Sequence, residues 1–517
     1  MRRRLITPLI TMLALLAMLL STSVVSAMPP LSFSSNIRVQ NLEDEPANIV
    51  ISFYDLYGTS PNVGSPVAEL HDTIEPRGDV IIWTVDASNL GEDWSGSAVV
   101  GSDREIRVVN NLYSEDWMFQ GSSQGSLDGA YEVGIPLIQL SNKDWDSWFN
   151  VQNVGPDEAD VYVTFEPGLV GNTYTTPVIT LPPYVSYTFD PRELAVHLLG
   201  DTPVGGDRDG EAFVGAATVY SSGSPVVATC VEGSDENLMV YDGFATVGTE
   251  GLLVAPLYHT NHNTTRSSIH VQNRGTEATE VTVHYVPSNS VSYSGDACYE
   301  TMIIEPGAMQ VFGFFAFSDA WQQYTPNSNC YTVNGLGSFV GSAYIDQDTD
   351  NVGLVTGDPQ PLVAQVQEFT VNTGTGSAYN ASSPVDAAPY LAFPEMLDRS
   401  NGYWTSINLF NASPTDSEDI TIEYRGRLDQ GHGTPVAKTQ TLTLGPLEST
   451  NILHAYSSAS FAYELGDGFV GSALLKADDG DALLVAVTNK LFGPPSVGDV
   501  LSTYNAFPLW ELPGSAD

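Results

Sequence analysis

Basic residues are scarce in this 517-residue chain, which holds 18 Lys and Arg against 62 Asp and Glu, a formal net charge of −44. A surface of this sign repels nucleic acid and anionic membranes, so we expect neither as a partner. Charged residues make up only 15% of the chain. That fraction favours a well-solvated extracellular surface over a salt-adapted surface or one with many divalent-cation sites.

Long apolar runs are absent beyond the N-terminus. Arg2 to Arg4 form a basic start, residues 5–20 are apolar, and Val25-Ser26-Ala27 is a small-residue cleavage signal. The pattern predicts a secretory signal peptide over residues 1–27. The run is short and interrupted by Pro8, which disfavours a membrane anchor. We therefore expect a secreted or surface-exposed mature chain with 62 acidic and 15 basic residues, a net charge of −47.

Recognisable catalytic motifs are also missing. The sequence contains no H-E-x-x-H, P-loop or dinucleotide-binding fingerprint. Gly121-Ser122-Ser123-Gln124-Gly125 matches the G-x-S-x-G pattern, but that pattern indicates a nucleophile only between a strand and a helix of an α/β sheet. Here the surroundings predict a Gly/Ser loop between two β-regions, so the sequence indicates a protein that is not an enzyme.

What the chain does contain is a fourfold repeat, the first feature to establish in any sequence. A short strand pattern that ends in asparagine recurs four times, each time followed by a polar turn and a second strand of alternating apolar residues. The four copies are Ile37-Arg38-Val39-Gln40-Asn41, Phe149-Asn150-Val151-Gln152-Asn153, Ile269-His270-Val271-Gln272-Asn273 and Ile407-Asn408-Leu409-Phe410-Asn411.

Two further landmarks follow in every copy. The first is a strand that ends in a proline turn, at Pro76, Pro182, Pro306 and Pro446. The second is an aromatic-x-Gly-small-Ala phrase, whose glycine predicts a bulge or a close approach of two backbones. Its copies are Trp94-Ser95-Gly96-Ser97-Ala98, Phe213-Val214-Gly215-Ala216-Ala217, Phe339-Val340-Gly341-Ser342-Ala343 and Phe469-Val470-Gly471-Ser472-Ala473.

Short alternating strands and closely spaced turns predict an all-β protein of four tandem, immunoglobulin-like antiparallel β-sandwich domains in a string, preceded by the signal peptide. The predicted boundaries are 1–27 for the signal peptide and 28–132, 133–250, 251–385 and 386–517 for repeats 1 to 4. Pro-Leu or Pro-Tyr pairs open the repeats at Pro30, Pro136, Pro256 and Pro389, and a fifth pair at Pro508-Leu509 is predicted to close repeat 4.

The order of these phrases resembles the bacterial immunoglobulin-like modules of the CARDB kind, cell-adhesion-related domains that occur in tandem on surface proteins. The order comprises a Val-x-Asn strand, an alternating strand with an aromatic end, a proline turn and a Gly-Ser-Ala strand. The resemblance covers all four repeats. It implies an adhesive role and carries no catalytic residues.

The acidic stretch in repeat 3 is the candidate metal site. Asp346, Asp348 and Asp350 alternate in a loop and offer hard oxygen ligands for Ca²⁺, while the same hairpin in other repeats is simply a polar turn. Calcium is the one cofactor that the sequence suggests. His270 and His284 are predicted to point outward into solvent rather than to bind a metal.

Two other sets of residues are candidates for specific roles. Cys298 and Cys330 lie in the same repeat, and export permits a disulfide between them. Cys230, in an apolar strand, is predicted to be a buried free thiol. Trp145, Trp148 and Trp404 can stack on sugar rings or pack against a neighbouring domain, and the second role is favoured.

We therefore expect a secreted, non-enzymatic structural or adhesive protein of the cell surface or extracellular matrix. Its partners would be other copies of itself or components of the cell envelope or matrix, met through exposed sheet edges. The alternative is a secreted binding protein for a glycan or protein ligand, which would bind through the longer loops of repeats 2 and 3.

Overall fold

The computed structural model describes residues 33–59, 64–87, 89–91, 94–114, 119–201, 211–235, 237–245, 253–262, 264–290, 295–319, 324–347, 359–370, 375–428, 435–455, 462–492 and 501–513. The predicted signal peptide lies outside these residues. Among them, no helix is long and apolar enough to cross a membrane.

Strands make up almost all of the regular structure. Repeat 1 contains β1 (Phe33–Asn41), β2 (Ala47–Asp55), β3 (Ala68–Ile74), β4 (Asp79–Trp83), β5 (Gly96–Ser102), β6 (Ile106–Ser114) and β7 (Gln120–Gln124). Repeat 2 contains β8 (Glu132–Leu140), β9 (Asp146–Asn153), β10 (Ala159–Val170), β11 (Tyr174–Thr175), β12 (Ile179–Leu181), β13 (Ser186–Phe189), β14 (Gly200–Asp201), β15 (Glu211–Ser222), β16 (Val226–Gly233) and β17 (Leu238–Asp242).

The second half of the chain follows the same plan. Repeat 3 contains β18 (Leu253–Thr260), β19 (Thr265–Asn273), β20 (Thr279–Pro287), β21 (Cys298–Ile304), β22 (Met309–Phe312), β23 (Phe339–Asp346), β24 (Leu362–Thr370) and β25 (Gly376–Asn380). Repeat 4 contains β26 (Tyr390–Asp398), β27 (Tyr403–Asn411), β28 (Glu418–Arg427), β29 (Pro435–Leu444), β30 (Ser449–Leu453), β31 (Phe469–Ala477), β32 (Leu484–Phe492), β33 (Leu501–Asn505) and β34 (Phe507–Leu509).

The helices are short and lie in connections. They are α1 (Ala195–Leu198), α2 (Cys330–Asn334) and the 3₁₀ turns Thr84–Asp86, Pro191–Leu194 and Pro384–Asp386. The all-β class predicted from the alternation is confirmed.

Each repeat pairs two antiparallel sheets. One sheet, which we name the ring sheet, has the order β4-β1-β6-β7 in repeat 1, and its counterparts are β13-β9-β16-β17, β22-β19-β24-β25 and β30-β27-β32-β33. The other, which we name the flanking sheet, contains the strand of the aromatic-Gly phrase: β5, β15, β23 or β31. The apolar face of β1, with Ile37 and Val39, packs on Ile49, Ile51 and Phe53 of β2, and this arrangement recurs in the other repeats.

The repeated asparagine has a structural role in all four repeats. The Asn41 side chain is fully buried; its amide donates to the carbonyls of Glu45 and Glu75, and its oxygen accepts the Glu43 backbone N–H. This one side chain holds the turn after β1 against the proline turn after β3. Asn153, Asn273 and Asn411 make equivalent bonds. Satisfied buried amides of this kind fix one register and one turn geometry.

The repeated glycine marks a close backbone approach, as the sequence predicted. A Cβ on Gly215 would collide with the carbonyl oxygen of Glu166 on the neighbouring strand. Gly96, Gly341 and Gly471 meet a neighbouring carbonyl in the same way. The bulge itself lies on the partner strand, at Pro136, Pro256 and Pro394. In repeat 4 the bulge proline equivalent to Pro136 is therefore Pro394, while Pro389 directly precedes β26, the strand that opens the repeat.

The four repeats do not form a string. Their last ring-sheet strands, β7, β17, β25 and β33, contact one another in a closed cycle, and all described residues belong to one compact unit. Hydrogen bonds run around the cycle: the Gln124 backbone N–H donates to Asp242 Oδ2 (2.8 Å), and Asn380 Nδ2 donates to the Asp242 carbonyl (2.8 Å). Asn505 Nδ2 donates to the Asn380 carbonyl, and Gln124 Nε2 to the Asn505 carbonyl. The repeats therefore surround a common centre.

Candidate binding cleft between the first two repeats

At three of the four junctions, the flanking sheet of one repeat lies against the ring sheet of the next. The contact is made by the first strand of the repeat, the strand that carries the proline bulge. In this way β8 contacts β19 and β24, β18 contacts β27 and β32, and β26 contacts β1 and β6. We name these three contacts the closed junctions.

A buried carboxyl group lies at the closed junction between repeats 2 and 3. Glu232 accepts hydrogen bonds from Gln139 of its own repeat (2.8 Å) and from Gln367 of repeat 3 (3.0 Å). Burial raises the pKa of Glu232 to about 8, and the two hydrogen bonds oppose that rise. Gln272 of repeat 3 donates to Thr218 of repeat 2 (3.2 Å). Polar side chains therefore join the two repeats in a region from which water is excluded.

The junction between repeats 3 and 4 uses the equivalent glutamate. Glu368 accepts hydrogen bonds from Asn489 (3.2 Å) and Thr503 (3.3 Å) of repeat 4 and from Ser377 of its own repeat. Burial raises the pKa of Glu368 to about 7.

The junction between repeats 4 and 1 contains three buried charges. Glu395 lies between Lys490, whose Nζ is 3.2 Å from Glu395 Oε2, and Arg38 of repeat 1, whose Nη2 is 3.5 Å from Oε1. Burial opposes ionisation of Glu395, but the two cations outweigh it and its pKa lies below the ordinary value. Arg38 also pairs with Asp79 at 2.7 Å.

The junction between repeats 1 and 2 is different. Among the described residues, repeat 1 contributes no first strand, and its flanking sheet is the three-stranded β3-β2-β5, with β5 at the edge. Ala98 and Val100 of β5 are half-exposed, whereas their counterparts in the other repeats are buried. Those counterparts are Ala217, Val219, Ala343, Ile345, Ala473 and Leu475.

A cleft of about 1280 Å³ lies at this position. One wall is β5 with the neighbouring β6, and the opposite wall is the ring sheet of repeat 2, including Trp148, Asn150 and Gln152 of β9. At the common centre the cavity is also lined by repeats 3 and 4, through residues 380–382 and 505–508. Both walls hold a sheet face that is buried at the closed junctions. The two repeats nevertheless touch beside the cleft, where the Tyr57 backbone N–H donates to the Ser186 carbonyl (2.8 Å).

Equivalent glutamines show how the cleft changes the packing. Gln40 donates to the Ala473 carbonyl of repeat 4 (3.1 Å), and Gln272 reaches the equivalent Ala217 carbonyl of repeat 2 at 3.4 Å; both side chains are buried. Gln152 is half-exposed and donates instead within its own repeat, to the Tyr184 carbonyl (3.2 Å). The glutamine that crosses two of the closed junctions does not cross this one; at the third closed junction its position is taken by Phe410.

The predicted tryptophans are not gathered at one place. Trp148 lines the cleft, with the Arg192 guanidinium 5.6 Å from its ring centre, so a cation already covers one face of the indole. Trp145 is half-buried against the core of repeat 2, and Trp404 is half-buried on β27 of repeat 4. Sugar stacking by these residues stays a prediction.

The acidic stretch is described only in part. Asp346 ends β23, and its Oδ2 is 3.2 Å from His284 Nε2. Asp348 and Asp350 lie outside the described residues. Within the part of the chain that the structure describes, no group of three acidic, histidine or cysteine side chains is arranged to hold a metal ion. The calcium site stays a prediction.

Two other sequence interpretations need correction. His270 does not face solvent: it is buried, its Nδ1 is 2.9 Å from Gln365 Oε1, and burial lowers its pKa to about 4. The alternation along the strand predicted an exposed His270, because it does not reveal that the outer face of β19 packs against a neighbouring repeat. The G-x-S-x-G match is not a loop either, since Gln120–Gln124 form strand β7 of the ring.

The cysteines are placed as follows. Cys298 and Cys330 are joined by a disulfide that links the start of β21 to α2. Cys230 is free and fully buried on β16, and burial raises the pKa of its thiol.

No protein-family model matches the chain, and a search of curated proteins found no significant match. The several antiparallel sheets are compatible with β-sandwich repeats, while membership of the CARDB-like family stays a prediction.

Proposed function

We propose that this is a secreted, non-enzymatic structural or adhesive protein whose cleft binds an extended polypeptide strand. The observation that supports this is the exposed edge of β5 at the one junction where the described residues include no first strand. An exposed sheet edge presents unpaired backbone groups and recruits extended peptides by strand addition.

The closed junctions indicate what kind of strand the cleft fits. In β8, Val133, Ile135, Ile138 and Leu140 point into the core of repeat 2, and the proline bulge lies in the middle of this set. The equivalent residues of β18 are Leu253, Ala255 and Tyr258, and those of β26 are Leu391, Phe393 and Met396. A ligand would therefore be apolar at alternate positions on both sides of a proline.

Backbone pairing would supply affinity and the alternate apolar side chains would supply selectivity. In β8, Ile135 pairs with Ala217 and Ile138 with Gly215. The same register in the cleft would place the ligand opposite Ala98 and Gly96. Apolar side chains would then cover Ala98 and Val100 and complete the core of repeat 1.

The composition agrees with an extracellular scaffold. The acidic surface disfavours nucleic acid and anionic lipid, and the predicted signal peptide directs export. Tandem repetition around a common centre favours a structural or adhesive task. Retention at the cell surface or in a matrix would follow from binding a strand of another polypeptide.

The test uses a fluorescent peptide with the sequence of residues 131–141, which includes β8. Fluorescence polarisation should show saturable binding to the chain from residue 28 onward. A control peptide with Ile135→Ser and Ile138→Ser should not bind, because it keeps the backbone but loses the inward side chains. Equal binding of both peptides, or of neither, would contradict the proposal.

A further inference from the structure

We infer that the strand bound in the cleft is supplied by a second copy of this chain, from residues 506–512. This rests on the proposed function, since it names the partner of the same cleft. The consequence is head-to-tail assembly, in which the last strand region of one molecule completes repeat 1 of the next.

The first argument is a sequence match to the three first strands. Phe507-Pro508-Leu509 has the same form as Ile135-Pro136-Leu137, and Trp510 and Leu512 then fall where Ile138 and Leu140 enter the core. The ring has four positions at which a first strand can lie between neighbouring repeats. Strands β8, β18 and β26 occupy three of them, and residues 506–512 carry a fourth copy of the first-strand pattern.

The second argument concerns the segment that precedes β1. The interval from the bulge proline to the repeated asparagine is the same from Pro136 to Asn153, from Pro256 to Asn273 and from Pro394 to Asn411. Counted back from Asn41, that interval ends at Val24. The positions that would face the core are then Ser21, Ser23, Ser26 and Met28, three of which are polar. Serine side chains do not replace the apolar set of the other first strands, so this stretch is a poor occupant.

The third argument is the position of residues 506–512 within their own molecule. Phe507–Leu509 form β34 and pair with only three residues of β26, between repeats 4 and 1. Asn505–Pro508 line one end of the cleft, but among the described strands β34 pairs with β26 and not with the edge of β5. Trp510 is 52% exposed, a large apolar side chain on the surface. Transfer to a second molecule would exchange a short ladder for a longer one and bury this side chain.

The register gives a geometric test. By equivalence with β8 and β15, Ala506 of one copy should lie opposite Val99 of another, as Gly134 lies opposite Thr218. Directly opposite residues have Cβ atoms about 4.5–5.5 Å apart, close enough for an engineered disulfide after small adjustment. Mixing Val99→Cys protein with Ala506→Cys protein under oxidising conditions should give a disulfide-linked dimer. Neither variant mixed with the unmodified chain should do so.

Charge sets the conditions for assembly. Two chains of net charge −47 repel each other, and salt screens this repulsion with a Debye length of about 10 Å at 0.1 M. Assembly should therefore increase between about 0.1 M and 0.5 M NaCl.

The experiment is size-exclusion chromatography with light scattering on the chain from residue 28 onward, over a concentration series in high salt. We expect oligomers that grow with concentration and are dissolved by excess peptide 131–141. Trp510→Ser should shift assembly to at least tenfold higher concentration, whereas Val196→Ser, at an 86% exposed residue in repeat 2, should leave it unchanged.

The outcomes separate the two proposals. A chain that binds peptide 131–141 but stays monomeric at all concentrations and salts would overturn the second-copy inference and leave the proposed function intact. Failure of the peptide to bind would overturn the proposed function. Oligomers that the peptide does not dissolve, or that form equally with Trp510→Ser, would overturn strand donation by residues 506–512.

Discussion

The closed junctions and the cleft use the same sheet faces in two ways. At the closed junctions a first strand fills the space between the repeats, and polar side chains such as Gln272, Glu232 and Glu395 are buried there with partners. At the cleft the equivalent glutamine, Gln152, stays half-exposed. The first strand is therefore what turns a solvated sheet face into an interface.

The polar side chains buried at the junctions also explain why the repeats pack together and do not form independent domains. A face with Gln, Glu and Arg side chains is compatible with solvent and with burial, provided that each group finds a partner when buried. The ring supplies those partners at three junctions. At the fourth, among the described residues, the equivalent face lines the cleft.

The largest expected effect is at the junction between repeats 4 and 1. Glu395→Ala would leave Arg38 and Lys490 buried without their shared carboxylate. Breaking a buried ion pair in this way costs about 3–5 kcal/mol of unfolding free energy. Urea denaturation measures the change. Asp190→Asn, which removes the charge that pairs with Arg192 at the half-exposed cleft wall and keeps an oxygen to cap the turn Pro191–Leu194, is the control and should cost less than about 1 kcal/mol. Equal losses would contradict the comparison.

A matched pair of valines tests the core beneath the first strand. Val219 is fully buried against β8, and the equivalent Val100 is half-exposed at the cleft. Val219→Ala should cost about 2 kcal/mol and Val100→Ala about half as much, at roughly 0.8 kcal/mol for each buried methylene plus a cavity contribution. Thermal and urea unfolding measure both. Val100→Ala should also weaken binding of peptide 131–141, and unchanged binding would contradict the predicted register.

The equivalent glutamines give a smaller contrast. Gln272→Ala removes buried hydrogen bonds to repeat 2 and should cost about 1–3 kcal/mol, because the acceptors stay buried. Gln152→Ala should cost less than about 0.5 kcal/mol, as for most surface substitutions. The denaturation midpoints of the two variants measure this difference in unfolding free energy. Similar midpoints would contradict the described difference between the two junctions.

The pH dependence of the unfolding free energy is the most specific effect. Because the folded-state pKa of Glu232 is about 8 and its ordinary value is 4.5, the folded state binds the proton more tightly. Its contribution is fully present below about pH 4.5 and is lost as the pH rises towards 8, at up to about 1.4 kcal/mol per pH unit. Glu232→Gln should therefore gain stability over the unmodified chain as the pH rises, and match it near pH 5.

A control separates this effect from the rest of the molecule. His270 titrates in the opposite sense, since its lowered pKa removes stability as the pH falls from about 6.5 towards 4. His270 contributes equally in both chains, so its contribution cancels when the unfolding free energy of the unmodified chain is subtracted from that of Glu232→Gln. A pH-independent difference in unfolding free energy for Glu232→Gln would contradict its assignment as a buried, neutral carboxyl group.

Much of the fold was predictable from local patterns. Alternation identified the strands, the prolines marked their ends, and the glycine of the aromatic-Gly phrase correctly indicated a close backbone approach. These features depend on short-range geometry, which sequence patterns record directly.

The ring and the cleft were not predicted, for a physical reason. The residues that join the repeats are polar, and positions such as Gln40, Gln272 and His270 match those of a solvated strand face. One signal was present: glutamine recurs beside the buried asparagine in three of the four repeats, which an unconstrained solvent-facing position does not require. A second signal was the constant interval from the bulge proline to the repeated asparagine, which in repeat 1 ends at Val24 and not at a proline.

The most direct test of the central claim is hydrogen exchange of the backbone amides of β5, compared with those of β15, β23 and β31. If the edge of β5 is open, some amides of Gly96–Ser102 should exchange much faster than their counterparts in the monomer, and peptide 131–141 should slow them. Protection of β5 equal to that of β15 without peptide would mean that the edge is already paired, and would contradict the account.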